Sequence, residues 1–385
     1  MEEVCDYNIC TGCGLCSNIC PKNAISMLEI GDHGHFKPHI DPARCVECHL
    51  CEKKCPALNE SVFHGNLETY AAWMPDDDKR RGSSSGGVAA ALYETALGQG
   101  FHIVGTYLDD GFRARMELTD DSSRVRAFQG SKYMQVIPGS VYSDAVRVLK
   151  DNGKVLFIGS PCQCAAMKTA AGTDQDRLIT VELICHGTPA QKIFLEHVAM
   201  HENRSGAKIS NVSFRSEKGE ELTLSSGSRV IWQHAMREDE YLFAFNYGLL
   251  HNESCYTCPY AQPDRAGDLT IGDFWKLGTK IPFQKPECRV SFLGVNTEKG
   301  REFLHTCHLL RLEKRDYQEA LDGNPNLNHP SVKHTDYDLF WSAYREGGLK
   351  NAYAGTIGPA IRKLRIKRGI ERKVKGAIKR MLRMK

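Results

Sequence analysis

Cys10-Thr-Gly-Cys13-Gly-Leu-Cys16-Ser-Asn-Ile-Cys20-Pro21 is answered thirty-five residues later by Cys45-Val-Glu-Cys48-His-Leu-Cys51-Glu-Lys-Lys-Cys55-Pro56. Both stretches follow the spacing Cys-x-x-Cys-x-x-Cys-x-x-x-Cys-Pro, so residues 1–60 contain an internal repeat. Repeats at such periods mark solenoids when their shared positions are apolar. Here the shared positions are cysteines, which points to a small metal-stapled domain. Three cysteines at intervals of three let a short loop wrap one iron–sulfur cube, each thiolate meeting a different iron. The fourth lies beyond a turn and cannot easily reach the same cube.

In two-cluster ferredoxins that fourth cysteine ligates the other cluster. On this pattern Cys10, Cys13, Cys16 and Cys55 hold one [4Fe–4S] cluster, and Cys45, Cys48, Cys51 and Cys20 hold the second. Gly12 and Gly14 let the backbone pass close to the inorganic sulfides and aim N–H groups at them. Zinc is the competing reading of Cys-x-x-Cys pairs. It does not require three cysteines in a row, twice, each with a trailing Cys-Pro. Cys5 is surplus to both sets and reads as a plain thiol.

The whole chain has 385 residues, enough for two or three domains, and its 41% hydrophobic and 25% charged residues are an ordinary globular profile. It contains no run of eighteen apolar residues, so no transmembrane helix is expected. The N-terminus is acidic and then cysteine-rich, unlike a secretory signal. Sixteen cysteines without such a signal point to a reducing, cytoplasmic compartment and metal-bound thiolates. A ferredoxin needs only residues 1–60; the remaining three hundred must use the electrons or pass them on. After a linker, Thr69–Trp73, Phe101–Leu108, Ala114–Leu118, Lys154–Ile158 and Leu178–Ile184 read as strands. Val88–Leu97, Tyr142–Lys150 and a segment opened by Pro189 read as helices, and 209–231 alternates in a β fashion. The expected fold class is α/β (α+β). A bacterial-ferredoxin domain (1–60) precedes a mixed α/β domain (61–330) and a C-terminal extension (331–385).

Four later cysteines fall at deliberate-looking places. Cys162 follows a strand in Gly159-Ser-Pro-Cys-Gln163, and Cys185 ends the next in Ile184-Cys-His-Gly187. Cys255 and Cys258 form Cys-Tyr-Thr-Cys-Pro259. Strand ends of an α/β sheet converge on one edge, where ligands bind. The four either meet there as a third cluster site or are buried small hydrophobes, the reading given to Cys164, Cys288 and Cys307. Gly82-Ser-Ser-Ser-Gly-Gly87 opens a helix, where N–H groups favour phosphate, although a capping turn is the commoner role. Gly130-Ser-Lys-Tyr133 adds Lys132, a phosphate partner or a solvated loop residue. His186 is a proton donor beside a redox site or a structural histidine.

Ser83–Gly87, Gly130–Tyr133, Gly159–Gln163, Ile184–Gly187, Cys255–Pro259 and Ile271-Gly-Asp-Phe-Trp275 together resemble the family of coenzyme F420 hydrogenase/dehydrogenase beta subunits. The resemblance runs from about residue 66 to 297. It implies an iron–sulfur flavoprotein oxidoreductase with FAD in the core domain and electrons passing between flavin and clusters. It implies Cys162, Cys185, Cys255 and Cys258 as ligands of a third cluster near the flavin. Ser84, Ser85, Gly86, Gly87, Lys132 and Asp273 become flavin contacts, and His186 the proton donor. The implied partners are a ferredoxin or a hydrogenase/dehydrogenase-like subunit, with substrate chemistry here or on that partner. The small-molecule acceptor is the deazaflavin coenzyme or another substrate, surface-polysaccharide biosynthesis being one setting for chains of this layout. Arg289-Val-Ser291 departs from the family, which usually has glycine before Val-Ser, and Cys164 replaces an aliphatic residue.

The net charge of +3 divides unevenly: residues 359–385 carry +11 and the rest −8. From Ile366, apolar residues Ile370, Val374, Ala377, Ile378, Met381 and Met384 recur at helical spacing, opposite Arg368, Arg372, Lys375, Lys379 and Arg383. Such a basic amphipathic helix lies at an anionic membrane surface, here the inner face, through residues 360–385. Docking on the protein's own acidic body is the alternative. Nucleic acid is not expected, since the helix lacks aromatic residues for stacking.

Overall fold

Val155–Gly159 and Leu178–Glu182 are buried at every position, as strands covered on both faces must be. In the computed structural model, which describes residues 1–216, 219–284, 286 and 288–383, both lie in the middle of a large mixed sheet. In chain order the strands are β1 (Ile25–Ile30), β2 (His35–Ile40), β3 (Glu68–Trp73), β4 (Phe101–Leu108), β5 (Ala114–Thr119), β6 (Lys154–Gly159) and β7 (Leu178–Leu183), followed by β8 (Asn211–Ser216), β9 (Gly219–Ser226), β10 (Arg229–Ala235), β11 (Leu269–Asp273), β12 (Ser291–Val295) and β13 (Arg311–Arg315). Eight of them form the sheet β13-β3-β12-β11-β7-β6-β4-β5. The α/β expectation is met. The β-like stretch after 209 forms a separate antiparallel sheet, β10-β9-β8.

The four central strands β4, β6, β7 and β11 run parallel. Gly159 pairs with Glu182, and Leu183 with Ile271, so β6, β7 and β11 end at one edge. Across the antiparallel pairs, Asp273 faces Ser291, which faces Ala72. The start of β12 and the end of β3 therefore share that edge. Helix Val88–Gly98 packs Ala91 and Leu92 with Leu156, Val181 and Leu293 on one face. Helices Val141–Lys150 and Pro161–Ala171 cover Val155 and Phe157 on the other.

By contacts the chain divides into two units, one of Met1–Gln191 with Asn252–Ser331, the other of Lys192–His251 with the segment from Val332 onward. The cysteine-rich region thus belongs to the same unit as the large sheet. Side chains far away in sequence tie it in. Gln135 accepts from Phe36 N–H at 2.7 Å and donates to the Phe36 carbonyl at 3.0 Å. Tyr142 donates to the Cys13 carbonyl at 3.0 Å, and His35 Nε2 lies 2.9 Å from the Thr188 carbonyl.

The second unit is organised around Asp239, fully buried, which accepts from Trp232 Nε1 at 2.8 Å and stands 3.2 Å from His197 Nε2. Its last helix spans Gly358–Arg383. Ile361 is buried, Arg365 donates to the Glu238 carbonyl and pairs with Glu240, and Arg368 pairs with Glu238 at 3.0 Å. Docking on acidic residues therefore holds for the start of this helix, while Ile366 and Ile370 are exposed. The side chains from Arg372 to Met384 invoked for the amphipathic face lie outside the described residues. No helix among the described residues is long and apolar enough to cross a membrane.

Gly12 has φ +69°, and a Cβ there would stand 2.1 Å from Gln135 Nε2 and 2.6 Å from the Phe36 carbonyl. Gly12→Ala should destabilise the first unit by about 1–3 kcal/mol from backbone conformation alone. A lower midpoint in anaerobic denaturant unfolding, with iron lost first from the N-terminal cysteines, is the expected result.

Candidate functional site

The repeat is visible in backbone conformation. Gly14 begins helix Leu15–Ile19 at φ +79°, and its counterpart His49 begins Leu50–Lys53 at φ +56°. A pocket is lined by Cys10, Cys13 and Cys16 from the first half and by Cys55 from the second. This is the exchange of the fourth cysteine that the spacing predicts. Cys20, Cys45 and Cys51 pack around Ile25 and Ile40, and Cys20 Sγ accepts from Ala24 N–H at 3.3 Å. Cys48 is exposed. Cys5 lines the same pocket, so the surplus thiol stands beside the first set rather than apart from it.

The four later cysteines also come together, at the edge where β6 and β7 end. Cys185 has Cys255, Cys162 and Cys258 as charge neighbours, and Cys162 has Cys258 and Cys255. Burial pushes Cys162 up to about 12 and Cys258 up to about 11. Thiols so placed become thiolates only when positive charge such as iron arrives. Their sulfurs are already surrounded by donors. Gly187 N–H points at Cys185, while Thr188 beside Cys255 and the Tyr260–Ala261 backbone beside Cys258 favour the thiolate of each. Ser160 Oγ stands 3.2 Å from Cys162 Sγ. Such donors stabilise cluster thiolates. Cys164 is the opposite case: its S–H points at the Val181 carbonyl at 3.5 Å, as a buried neutral thiol does. All sixteen cysteines are free of disulfides. No three His, Cys, Asp or Glu side chains among the described residues are close enough to hold a single metal ion. A cube spreads its thiolates over separate irons and so holds them further apart.

The two sets touch. Thr11, inside the first cysteine loop, and Cys13 both lie close enough to Cys162 to act on its charge. Neither Thr11 nor Thr188 stands out in the sequence, because each acts across more than sixty residues. The same is true of Glu182, fully buried, which pairs with Arg265 and accepts from Ala266 N–H, Gly267 N–H and the Thr270 hydroxyl. Arg265 in turn donates to the Tyr260 and Gln262 carbonyls, fixing the loop that carries Cys258.

The serine–glycine loop lies at the same edge. Gly86 N–H donates to Ser291 Oγ at 2.9 Å, Ser85 donates to the Val290 carbonyl, and Ser84 Oγ is 2.7 Å from Ser131 Oγ. Gly86 has no room for a Cβ, which would lie 2.4 Å from the Ala72 carbonyl. Gly87, at φ +82°, starts helix Val88–Gly98. Asp273 sits opposite Ser291. Arg289, the departure from the family pattern, donates to the Ser84 carbonyl at 2.7 Å and braces this loop. The loop and helix start suit an anionic group. Lys132 is less suited, because burial lowers it to about 7 and its ammonium donates to the carbonyls of Ala127, Phe128 and Gln129. His186 follows Cys185 directly, its carbonyl accepting from Ser331.

Two family models, for the N-terminal and C-terminal parts of the coenzyme F420 hydrogenase/dehydrogenase beta subunit, match residues 69–142 and 152–318, and a 4Fe-4S dicluster domain matches 9–59. The chain belongs to this family of beta subunits. Among its relatives is an F(420)H(2) dehydrogenase subunit of Methanosarcina mazei, 20% identical over 207 residues, 51% of this chain and 59% of that protein. An uncharacterised polyferredoxin-like protein of Methanocaldococcus jannaschii is 38% identical over 63 residues, 14% of this chain and 36% of its own. A solved chain of the F420-reducing [NiFe] hydrogenase complex from Methanosarcina barkeri aligns over 76% of this chain and 91% of its own, with a TM-score of 0.47 and 17% identity. The chain spans about half the length of the curated relatives it matches, or less. The two beta-subunit models leave the tail beyond 318 unmatched.

Cys162→Ser should remove about four irons per chain while sparing those of residues 1–60. Cys164→Ser should leave the iron content unchanged. Iron and sulfide assays on the two variants separate ligand from buried thiol.

Proposed function

We propose that this protein is an iron–sulfur flavoprotein oxidoreductase that relays electrons between an exposed ferredoxin-type end and a buried sheet-edge site. The observation that carries this reading is the nearness of the first cysteine set to the later one, Thr11 and Cys13 lying beside Cys162. Cys10, Cys13, Cys16 and Cys55 would hold one [4Fe–4S] cluster, Cys20, Cys45, Cys48 and Cys51 a second, and Cys162, Cys185, Cys255 and Cys258 a third. FAD, bound at Ser84, Ser85, Gly86, Gly87 and Asp273, would supply the exchange between hydride pairs and single electrons. Exposed Cys48 makes the second set the place for exchange with a partner protein. Gly86, without a side chain, and Ser291 hold the loop where the flavin binds. His186 holds a proton at the edge beside Cys185.

The relative named as a dehydrogenase subunit supports a partner chain and a deazaflavin-type acceptor or donor. Anaerobic purification should yield about 12 irons and one FAD per chain. About 8 irons without flavin would reduce the protein to a ferredoxin domain on an unassigned one. Turnover of a deazaflavin or sugar-linked acceptor by the chain alone favours an enzyme. Turnover only after a partner is added favours an electron-transfer subunit. His186→Gln should slow that turnover with iron and flavin retained.

The compartment in this reading is the cytoplasm, with the last helix at the inner membrane face. Arg365 and Arg368 are engaged by Glu238 and Glu240, so lipid would be met by the exposed Ile366–Ile370 side and the residues beyond. Deletion of residues 360–385 should abolish co-sedimentation with anionic liposomes. Unaltered sedimentation would leave the helix as an internal brace.

A further inference from the structure

Lys37 is a cation in the interior, only 2% exposed, between the two cysteine sets that touch. Its ammonium donates to the Cys10 carbonyl at 2.5 Å, the Tyr7 carbonyl at 2.9 Å and Asn252 Oδ1 at 2.7 Å. Asn252, fully buried, also donates from Nδ2 to the Cys10 carbonyl at 3.0 Å. Its own carbonyl accepts from Cys255 N–H at 2.8 Å. One lysine and one asparagine thus join the loop of Cys10 to the loop of Cys255. The Lys37 ammonium is therefore fully engaged. Its three acceptors complete the donor capacity of an ammonium, so the site is built for the charged form.

We propose that Lys37, held by Asn252, is a positioning residue that raises the reduction potentials of the first and third clusters together. The inference rests on the three-cluster reading. An electron arriving on either cluster adds one negative charge, and a fixed cation in a low-dielectric interior favours that reduced state. The Cys20, Cys45, Cys48 and Cys51 set does not share these contacts, so its potential is set independently. Electrons entering there then run toward the sheet edge.

The test is an anaerobic potentiometric titration followed by EPR on the full chain, with Cys162→Ser used to assign the third cluster's signal. Lys37→Met should lower two of three midpoints, each by about tenfold in the reduction equilibrium, equivalent to about 59 mV for one electron. Asn252→Asp is nearly isosteric and neutralises Lys37 in place. It should give the same two shifts, and it carries the test if Lys37→Met fails to retain iron. Unmoved midpoints at about 12 irons overturn the inference and leave the three-cluster reading standing. Equal movement of all three also overturns it. A wild-type content of about 8 irons removes the third cluster and the inference with it.

Discussion

Glu182 is the last inward residue of β7 and lies at 0% exposure, beside Arg265 at 1%. An isolated carboxylate there would cost several kcal/mol in lost hydration. It is tolerated because every acceptor position is used: Arg265 on one oxygen, the Ala266 and Gly267 N–H groups on the other, and the Thr270 hydroxyl besides. Those partners belong to the segment that runs from Cys258 into β11. The ion pair therefore joins the strand that ends at Cys185 to the loop that carries Cys258. Removing either partner would leave a buried charge, typically a loss of about 3–5 kcal/mol. The positions of both cysteines depend on it.

Much of this arrangement was legible because its signals are local. The two cysteine repeats need only their own spacing, and Cys55 joining Cys10, Cys13 and Cys16 follows from it. β4 was read at its observed bounds, and β6 and β7 within one residue, because a short apolar run between turn signals is too brief for a buried helix. What was not legible acts at long range. Gln135 pairing with Phe36 and Tyr142 with Cys13 depend on residues that become neighbours only in the fold. Lys132 shows the limit of motif reading. A lysine after Gly-Ser suggests an anion partner, yet its ammonium completes the carbonyl end of Val125–Phe128. The two contact units are likewise a long-range feature, since the second is assembled from two separated segments.

The basic tail shows how composition and contact differ. A net +11 over 359–385 looks like a free cationic face. Arg365 instead lies over the Trp232 ring at 4.7 Å while pairing with Glu240, and Arg368 meets Glu238. A partly buried pair of this kind is screened less by salt than an exposed one. The first turns of the helix thus belong to the body of their own unit, whatever the later turns meet.

Exposure orders the three cysteine sets. Cys48 lies at the surface, Cys10 is buried, and the Cys162 and Cys185 sulfurs are enclosed by donors at the sheet edge. A partner can approach the Cys48 end without entering the protein. The opposite end is shielded from water by Tyr260, Phe63 and Ala165, which pack against Cys162 and Cys258. Such shielding strengthens every charge interaction within it. In the proposed relay a buried cation between the middle and inner sets, rather than at the surface, would act on the step that carries electrons inward. The fold binds the cysteine-rich region to the sheet by Gln135, Tyr142 and Asn252 rather than by a flexible linker, and this keeps that step short.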